Sequence, residues 1–368
     1  MKIVTIIGAR PQIIKAAALS RAIKEHYADR IQEVIVHTGQ HYDDNMSQVF
    51  FDELGIPHPD YNLHVGSASH GVQTAKMIEG IEQILLDEKP DCIVLYGDTN
   101  STLAGAVAAS KIHVPVVHIE AGLRSFNKRM PEEINRIVCD HCSTLLFSPT
   151  KAGFDNLKRE GFPIDNEGPY TIDNPKVYHC GDIMYDNSLH FSKVADQKAH
   201  ILQQLGLEGK PYVLATLHRD SNTDQPERLN AILEAFKELS KEITIVLPMH
   251  PRTRKKAGEF HADNVVVIEP VSFLEMIQLE KHAQLILTDS GGVQKESYFF
   301  QKPCVILRPE TEWVEIVETG AATLADADYD KILEASRRYL QQPPVKFPEI
   351  FGDGHAAAFM LQQMMESL

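Results

Sequence analysis

The chain has 368 residues, of which 43% are hydrophobic and 24% are charged, and both values are ordinary for a globular protein. Because a single hydrophobic core stops growing near about 250–300 residues, we expect two domains. The formal net charge of −15 disfavours general binding to nucleic acid or anionic membranes, whose phosphates would repel the protein. No apolar run approaches the about 18–20 residues that cross a bilayer. Five cysteines, an odd number, indicate a reducing compartment, so we expect a cytoplasmic protein.

Short apolar runs rich in β-branched residues alternate along the chain with longer segments of helical period, which is typical of a parallel sheet covered by helices. In the N-terminal half we predict strands at 2–7, 33–37, 92–96, 114–119 and 145–148, and helices at 13–23, 72–87, 102–111 and 132–139. In the C-terminal half we predict strands at 212–216, 243–248, 265–268, 285–288 and 304–307, with helices between them.

Residues 161–186 interrupt this alternation, because three prolines stand there among Asp, Asn and Gly. Such composition is typical of an exposed connection. We therefore expect an N-terminal domain over residues 1–170 and a C-terminal domain over 171–349. The segment 350–368 has helical period at its end and can pack back on the N-terminal domain. The predicted fold class is α/β, with two doubly wound Rossmann-like domains that face each other across a cleft.

Polar residues follow nearly every predicted strand, at the edge where ligands bind in open α/β sheets. In the N-terminal half these are Arg10, the turn 38–41, Gly97-Asp98-Thr99-Asn100 and Glu120-Ala121-Gly122. In the C-terminal half they are His218-Arg219, His250-Pro251-Arg252, Asp289-Ser290-Gly291-Gly292 and Arg308. This distribution predicts ligand-binding residues at the strand ends of both halves.

Ser290, Gly291 and Gly292 lie between a predicted strand and a helix that begins near residue 293. The free N–H groups and the dipole of a helix N-terminus favour a phosphate, and glycine permits close approach of the backbone. Taken alone, the turn equally fits a strand-to-helix connection that needs glycine for its geometry. Basic residues at neighbouring strand ends favour a diphosphate: His218, Arg219, His250, Arg252 and Arg308. Glu296 is either an acceptor for a ribose diol or a solvated helix residue.

Four carboxylates lie at or just beyond the strand ends of the N-terminal half: Asp98, Glu120, Glu132 and Glu133. Carboxylates that meet a diphosphate site favour chemistry at a sugar carbon, because they move protons and stabilise an oxocarbenium-like centre. Asp98 alternatively caps a helix, and the pair 132–133 alternatively supplies favourable charge after Pro131. A buried Glu120 is harder to explain structurally, since isolated buried carboxylates are costly. Glu120 is therefore the strongest single candidate.

Several motifs are excluded. Residues 8–12 lack the G-x-G-x-x-G pattern of dinucleotide binding, and no P-loop is present. Cys139-Asp140-His141-Cys142 lacks a second ligand pair, so we interpret its thiols as core residues. The acidic run 326–330 has Lys331 where a calcium loop needs glycine. We therefore predict no metal and no cofactor.

The chain resembles the non-hydrolysing UDP-N-acetylglucosamine 2-epimerases essentially from end to end. The matching stretches are Gly8-Ala9-Arg10-Pro11, Thr38-Gly39-Gln40-His41, Gly97-Asp98-Thr99, His118-Ile119-Glu120-Ala121-Gly122-Leu123-Arg124, Pro131-Glu132-Glu133-Ile134-Asn135-Arg136, His218-Arg219 and Thr288-Asp289-Ser290-Gly291-Gly292-Val293-Gln294-Lys295-Glu296. No single stretch is specific, but their order and spacing together are.

The resemblance implies a fold like that of the large UDP-sugar glycosyltransferases, a homodimer, and an active site in the cleft. It implies that UDP leaves C1 as the C2 proton is removed, and that UDP adds back after a proton returns to the other face. Asp98, Glu120 and Glu132 match the family's catalytic carboxylates, and His218 matches its catalytic histidine. The resemblance further assigns nucleotide contacts to Arg10, Ser290, Gly291 and Glu296, and site-lining positions to Lys15 and Arg136. The expected partner is a UDP-sugar, with no nucleic acid and no membrane.

Three departures from the family pattern bear on substrate and regulation. Tyr42-Asp43 replace an Arg-Glu pair linked to allosteric substrate binding, so we expect no activation by UDP-N-acetylglucosamine at a second site. A shorter loop, 124–130, replaces a Thr-Gly-Asp-rich one, and Asp220-Ser221-Asn222 lack the usual Arg and Glu. The first two changes resemble the sub-branch that acts on UDP-2,3-diacetamido-2,3-dideoxyglucuronate. Lys128 or Arg129 then pairs with the sugar carboxylate, or both are surface residues of a mobile loop.

The sequence leaves other functions open. A hydrolysing relative, which releases UDP and free sugar, shares the fold and most motifs. A retaining glycosyltransferase needs an acceptor site that the sequence does not reveal, and a UDP-sugar sensor would bind without turnover. The family resemblance points to a cell-surface polysaccharide precursor as the product.

Overall fold

A computed structural model describes residues 1–39, 51, 55–258 and 260–368. The chain divides into two compact units, of which the first comprises Met1–Asn187 and Ile350–Leu368 and the second Ser188–Glu349. The first unit extends beyond residue 170, the boundary expected from sequence, because a strand at Lys176–His179 pairs with Leu145–Ser148 of the same sheet. Among the helices of the described residues, none is both long enough and apolar enough to cross a membrane.

The first unit is built on a seven-stranded parallel sheet with the strand order β3-β2-β1-β4-β5-β6-β7. Its strands are β1 Lys2–Ile7, β2 Gln32–His37, β3 Tyr61–Asn62, β4 Cys92–Tyr96, β5 Val116–Ile119, β6 Leu145–Ser148 and β7 Lys176–His179. Its helices are α1 Arg10–Ala22, continued by a π-helical turn at Ile23–Tyr27, α2 His70–Glu88, α3 Asn100–Lys111, α4 Pro131–His141 and α5 Lys151–Arg159, with α15 Ala356–Ser367 at the end of the chain. Helix α6, Ile183–Lys198, runs from this unit into the next.

The second unit is built on a six-stranded parallel sheet with the order β10-β9-β8-β11-β12-β13. Its strands are β8 Tyr212–Thr216, β9 Thr244–Pro248, β10 Val265–Ile268, β11 Leu285–Thr288, β12 Cys304–Ile306 and β13 Ala322–Leu324. Its helices are α7 Ile201–Gln204, α8 Asp220–Thr223, α9 Pro226–Leu239, α10 Pro251–Ala257, α11 Phe273–His282, α12 Gly291–Phe299, α13 Val314–Glu318 and α14 Tyr329–Gln341.

Both strand orders are doubly wound, with a reversal between β1 and β4 in the first unit and between β8 and β11 in the second. The predicted fold class, α/β with two Rossmann-like domains, is confirmed. Ligands bind at such reversals, beyond the carboxyl ends of the strands. The reversals therefore locate the regions where chemistry is expected: the segments after residues 7 and 96 in one unit, and after 216 and 288 in the other.

Helices cover each sheet, as the alternation of apolar runs and helical segments predicted. In the first unit, β1 and β4 contribute buried Val, Ile and Leu side chains, while α3 presents a row of small residues, Ala104, Ala106, Ala108 and Ala109. Small side chains let α3 lie close to the sheet, and a Cβ at Gly105 would clash with Leu95. In the second unit, α9 covers the sheet with Leu229, Ile232, Leu233 and Phe236.

The segment 161–186 is not only an exposed connection, because it contains β7. The sequence signal missed this strand because it spans four residues and only Val177 is buried. The C-terminal segment belongs to the first unit: Asp186 accepts the backbone N–H groups of Ala356 and Ala357, and Phe359 packs edge-on against Tyr178. These contacts bring α15 onto the unit that contains α1.

Candidate functional site

In the first unit, the segments that follow β1, β4 and β5 bring Lys15, Asp98 and Glu120 together, and Arg136 joins them through its ion pair with Asp98. Arg10 begins α1 just after β1, and its side chain is exposed. Buried Gln12 fixes the start of this helix, since its side-chain oxygen accepts the N–H of Ala9 and its amide donates to the carbonyl of Tyr96 at the end of β4. The helix that carries Lys15 is thus tied to the strand that precedes Asp98.

Glu120 forms an ion pair with Lys15. The lysine side chain is 10% exposed and the glutamate side chain 12%, so the expected buried carboxylate is nearly buried and is balanced by a cation. The backbone of Glu120 has φ 76°, a conformation that is costly for a residue with a side chain and that recurs at functional sites. The N–H groups of Glu120 and Ala121 both donate to the carbonyl of Phe147 and hold this turn.

Asp98 pairs with Arg136, whose Nη2 lies 2.7 Å from Asp98 Oδ2. The carbonyl of Asp98 accepts a hydrogen bond from the side chain of Asn135, so two residues of α4 orient this turn. Asp98 is not a helix cap: the side chain of Thr99 caps α3 by accepting the N–H of Thr102. The expectation that Asp98 caps the helix is therefore wrong, and its carboxylate is held by Arg136 instead.

The Asp98 and Glu120 turns lie close together. Gly97 has φ 62°, and a Cβ built on it would lie 3.1 Å from Lys15 Nζ and 3.9 Å from Glu120 Oε1. Glycine is thus needed here both for its conformation and for the close approach of the Lys15–Glu120 pair. The first unit therefore holds two carboxylates, each with its own cation, at one topological reversal.

The two glutamates that follow Pro131 differ in environment. Glu132 is exposed in the first turn of α4. Glu133 is buried: it accepts the backbone N–H groups of Ser125 and Phe126 and pairs with Arg136 at 2.5 Å. Burial opposes ionisation of Glu133, but these N–H donors and then Arg136 prevail and lower its pKa. Glu133 therefore links the loop 124–130 to Arg136, the arginine that pairs with Asp98. The sequence predicted only favourable charge at the start of a helix and did not indicate this contact.

In the second unit, Ser290 is the N-cap of α12, and its hydroxyl accepts the N–H of Val293. The N–H of Ser290 donates to the Thr288 hydroxyl, which in turn contacts the hydroxyl of Thr216 at 2.6 Å. A Cβ at Gly291 would clash with the carboxylate of Glu312, whereas Gly292 is exposed. The start of α12 is therefore closely packed at Gly291 and has exposed backbone at Gly292, a geometry that suits an anion.

His218 is positioned by Asp289, which is completely buried. Asp289 accepts the backbone N–H groups of His218 and Arg219 and an amide N–H of Asn222, and its Oδ1 lies 3.2 Å from His218 Nδ1. The histidine side chain itself is half exposed. The ends of β8 and β11 thus present an accessible imidazole held by a carboxylate, beside the Ser290 turn.

The remaining basic residues of this unit are less available than the sequence indicated. Arg252 is paired with Asp220 and Asp224, and Arg308 with Glu312 at 3.0 Å. His250 caps α10, its ring accepting the N–H of Arg252 at 3.3 Å. These acidic partners therefore balance much of the positive charge that Arg252 and Arg308 contribute to this unit.

Glu296 lies on the second turn of α12, beside the buried carboxyl group of Glu280 on α11. Burial first, and then the charge of Glu296 and a hydrogen bond to it, raise the pKa of Glu280 well above its usual value. Burial and the neighbouring carboxylate therefore favour the neutral form of Glu280.

The sequence predictions also include residues that cannot be placed. Gln40-His41 and Tyr42-Asp43 lie outside the described residues. Over 1–39, 51, 55–258 and 260–368, no three His, Cys, Asp or Glu side chains are grouped so that they could hold a metal ion. The structure therefore groups Lys15, Asp98, Glu120 and Arg136 in one unit and His218, Ser290, Gly291, Gly292 and Glu296 in the other.

Comparisons with known proteins agree on one family. The family model described as UDP-N-acetylglucosamine 2-epimerase matches residues 22–365. The chain is 50% identical to the UDP-2,3-diacetamido-2,3-dideoxy-D-glucuronate 2-epimerase of Pseudomonas aeruginosa, with 97% of this chain and 98% of the relative covered. It is 43% identical to the UDP-N-acetylglucosamine 2-epimerase of Methanocaldococcus jannaschii, with 91% of each chain covered.

Solved structures give the same result. The fold matches the M. jannaschii UDP-GlcNAc 2-epimerase in complex with UDP-GlcNAc and UDP with a TM-score of 0.85 at 40% identity, and both chains are fully covered. It matches the Neisseria meningitidis UDP-GlcNAc 2-epimerase bound to UDP-GlcNAc with a TM-score of 0.86 at 29% identity, again over both full chains. The chain belongs to the UDP-N-acetylglucosamine 2-epimerase family.

Proposed function

We propose that this protein is a non-hydrolysing isomerase that inverts C2 of a UDP-2-acetamido sugar. The observation that carries the proposal is the placement of Glu120 Oε1 within 3.9 Å of the Cβ position of Gly97, which brings the Asp98 and Glu120 turns together. Two carboxylates on adjacent turns suit a reaction that removes a proton from carbon and returns one.

In this proposal the second unit binds the nucleotide. The N–H groups at the start of α12, from Ser290 to Gly292, hold the diphosphate, and Glu296 accepts hydrogen bonds from the ribose hydroxyls. His218, oriented by Asp289, stabilises the leaving diphosphate, and His250 adds a further polar contact. Arg10 contacts the nucleotide from the first unit.

The carboxylates of the first unit carry the proton transfers. One of Asp98, Glu120 and Glu132 removes the C2 proton as the bond between C1 and the diphosphate oxygen breaks, giving UDP and a 2-acetamidoglucal. A carboxylic acid then returns a proton to the opposite face of C2, and the diphosphate oxygen re-forms the bond to C1. Lys15 and Arg136 pair with Glu120 and Asp98 and so place a cation beside each of these two carboxylates. No water enters the balance, hence no free sugar is released.

The substrate that we favour is UDP-2,3-diacetamido-2,3-dideoxyglucuronate. A relative of that name is 50% identical over 97% of this chain. In the loop 124–130, Lys128 and Arg129 are exposed beside the first turn of α4, which carries Glu132. An arginine or lysine there can pair with the carboxylate of a uronate, a contact that the neutral UDP-N-acetylglucosamine cannot make.

The reaction type is tested in heavy water. Each of the two UDP-sugars is incubated with the protein, and the products are followed by NMR. We expect deuterium at C2 and a mixture of two UDP-sugars with no loss of nucleotide. Accumulation of UDP and free sugar would identify a hydrolysing epimerase, turnover only with an added acceptor a glycosyltransferase, and binding without turnover a sensor. Each of those three results contradicts the proposal.

The substrate preference is tested with charge variants. Lys128→Gln and Arg129→Gln should together raise KM for the diacetamido-uronate by about tenfold or more, which corresponds to about 1.4 kcal/mol, and leave KM for UDP-N-acetylglucosamine unchanged. Lys24→Gln, at an exposed lysine distant in the fold, is the matched control. Equal turnover of both sugars by the unmodified protein would reject the preference for the uronate.

We also propose that the protein is a cytoplasmic homodimer that supplies a cell-surface polysaccharide precursor, as the family resemblance implies. All five cysteines are free thiols, which is consistent with a reducing compartment. Light scattering at micromolar concentration measures the mass of the assembly, and a monomer mass would reject the dimer.

A further inference from the structure

The His118 ring is completely buried at the end of β5, and both of its nitrogens contact oxygen acceptors. Nδ1 lies 2.6 Å from Asp140 Oδ1, and Nε2 lies 2.8 Å from the carbonyl oxygen of Gly97. A carbonyl oxygen only accepts, so Nε2 carries a proton. The N–H of Gly122 and the guanidinium of Arg124 favour the carboxylate form of Asp140, which can only accept, so Nδ1 carries a proton as well. The ring is thus an imidazolium.

Asp140 is a buried carboxylate with three donors. Its Oδ2 accepts the backbone N–H of Gly122 at 3.2 Å and pairs with Arg124 Nη1 at 2.7 Å. Arg124 in turn makes two bonds of 2.7 Å to Glu160. Buried ion pairs persist when the remaining hydrogen-bonding positions are filled, and this group of four charges meets that condition.

The charge states follow from these contacts. Burial alone would lower the pKa of His118, but its neighbours on α4, Cys139 and Asp140, raise the pKa well above the usual value. Burial would raise the pKa of Asp140, but His118 and then Arg124 lower it. Both groups are therefore charged at neutral pH.

His118 bonds to the backbone next to Asp98, and Asp140 bonds to the backbone close to Glu120. The Gly97 carbonyl that His118 holds immediately precedes Asp98, and the Gly122 N–H that Asp140 holds follows Glu120 by two residues. The N–H of Gly97 also donates to the carbonyl of Ile119, which precedes Glu120. The pair therefore spans the turns after β4 and β5, whose spacing sets the distance between Asp98 and Glu120.

We propose that His118 and Asp140 are positioning residues that hold the Asp98 turn against the Glu120 turn and so set the geometry of proton transfer at C2. The proposal rests on the proposed function, because it takes Asp98 and Glu120 as the reacting groups. Displacement of a reacting group by about 1 Å can cost about 10²-fold in rate. Loss of the pair should therefore lower kcat, while binding of UDP by the second unit is unaffected.

Two amide substitutions separate the halves of the pair. The amide of His118→Gln can replace Nε2 and keep the bond to Gly97, whereas the amide of His118→Asn can replace Nδ1 and keep only the bond to Asp140. We expect His118→Asn to lower kcat about 10²-fold, with KM and the Kd for UDP changed less than twofold, and His118→Gln to recover at least tenfold of that loss. His26→Gln, at an exposed histidine, is the control. Equal losses in both variants, in proportion to their loss of Tm, would overturn the proposal.

A measurement on the unmodified protein covers the case in which the variants do not fold. In protein labelled with ¹⁵N at histidine, both ring nitrogens of His118 should remain protonated from pH 6 to pH 9, and a neutral ring in this range would overturn the proposal. Asp98→Asn and Glu120→Gln are measured in parallel. If Asp98→Asn and Glu120→Gln retain activity, the assignment of the reacting groups is wrong. If both lose activity but the two His118 variants do not differ as expected, only the positioning function is wrong.

Discussion

Lys15 and Glu120 form an ion pair that joins the first helix of the chain to the turn after β5. The pair explains how a carboxylate is retained next to a buried strand, in a backbone conformation with φ 76°. Removal of such a carboxylate from water is costly unless a cation accompanies it. The position of Glu120 therefore carries two costs in free energy, one from removal of its charge from water and one from its backbone conformation.

Substitution of Glu120 tests its catalytic assignment. Glu120→Gln keeps the size of the side chain but removes its ability to accept a proton, so kcat should fall about 10²–10⁴-fold while the Kd for UDP is unchanged. Glu79→Gln, at an exposed glutamate of α2, is the matched control and should retain full activity. Steady-state kinetics and calorimetry measure the two quantities. A loss under threefold in Glu120→Gln would reject the assignment.

The backbone of Glu120 gives a separate prediction about stability. At φ 76° a Cβ costs about 1 kcal/mol or more, and glycine avoids this cost. Glu120→Gly should therefore be more stable than Glu120→Ala, the reverse of the usual order, with a Tm higher by a few degrees. Calorimetry of both variants, which lack the same carboxylate, makes the comparison. A more stable alanine variant would contradict the strained conformation.

Much of this arrangement follows from sequence periodicity, and part of it does not. The strands at 2–7, 92–96, 145–148, 212–216, 265–268 and 285–288 coincide with the predictions, because each is a short, mostly apolar run bounded by polar turns. The strands β3, β7 and β13 span only two to four residues and have few buried side chains, so they leave no clear pattern.

The candidate site shows the same division. Asp98, Glu120, His218 and Ser290 were visible as polar residues at strand ends. Lys15 and Arg136 were indicated only by the family resemblance, and the contacts between these residues were not visible. Nothing in the local sequence pairs Lys15 with Glu120, or Asp140 with His118, since such contacts depend on how distant segments fold together. Glu133 illustrates the point: its neighbour Glu132 has the same local sequence context, yet only Glu133 points inward and accepts loop N–H groups.

Substitution of Gly292 tests whether the start of α12 binds the diphosphate. A Cβ at this position would have the Ser290 hydroxyl at 3.8 Å and Glu296 Oε2 at 3.9 Å as its nearest atoms, so it fits the free protein. In the proposed function, however, it would occupy the space where the backbone meets the diphosphate. Gly292→Ala should therefore keep its Tm and weaken UDP binding by about tenfold or more. Gly71→Ala, at an open position of α2, should change neither, and normal affinity in Gly292→Ala would place the diphosphate elsewhere.

Asp289 gives a test of how His218 is held. In Asp289→Asn an amide nitrogen replaces one oxygen that now accepts the N–H groups of His218 and Arg219. We expect kcat to fall about tenfold or more, since the imidazole loses its orientation. Asp263→Asn, at an exposed aspartate of the same unit, is the control. Because Asp289 is buried, activity is measured well below the Tm of the variant, and unchanged kcat there would show that Asp289 does not position His218.

Asp186 gives the protein a pH-dependent stability away from the candidate site. Its two oxygens accept the N–H groups of Ala356 and Ala357, at 3.1 and 2.8 Å, and so hold the start of α15. Burial raises the pKa of Asp186 from 3.8 to about 6, although the two N–H groups oppose the change. Between these values the folded protein binds this proton more tightly than the unfolded chain does, so the contribution of Asp186 to stability falls as the pH rises from about 4 to about 6.

Asp186→Asn removes this titration. At about 1.36 kcal/mol per pKa unit, the shift corresponds to about 3 kcal/mol of stability that is present near pH 4 and lost above pH 6. The Tm of the variant should therefore gain several degrees relative to the unmodified protein between pH 4 and pH 7. Asp29→Asn, at an exposed aspartate, should show a constant difference over the same range. A constant difference for Asp186→Asn as well, measured by calorimetry in matched buffers, would mean that Asp186 is ionised at low pH and that its contact with α15 does not titrate.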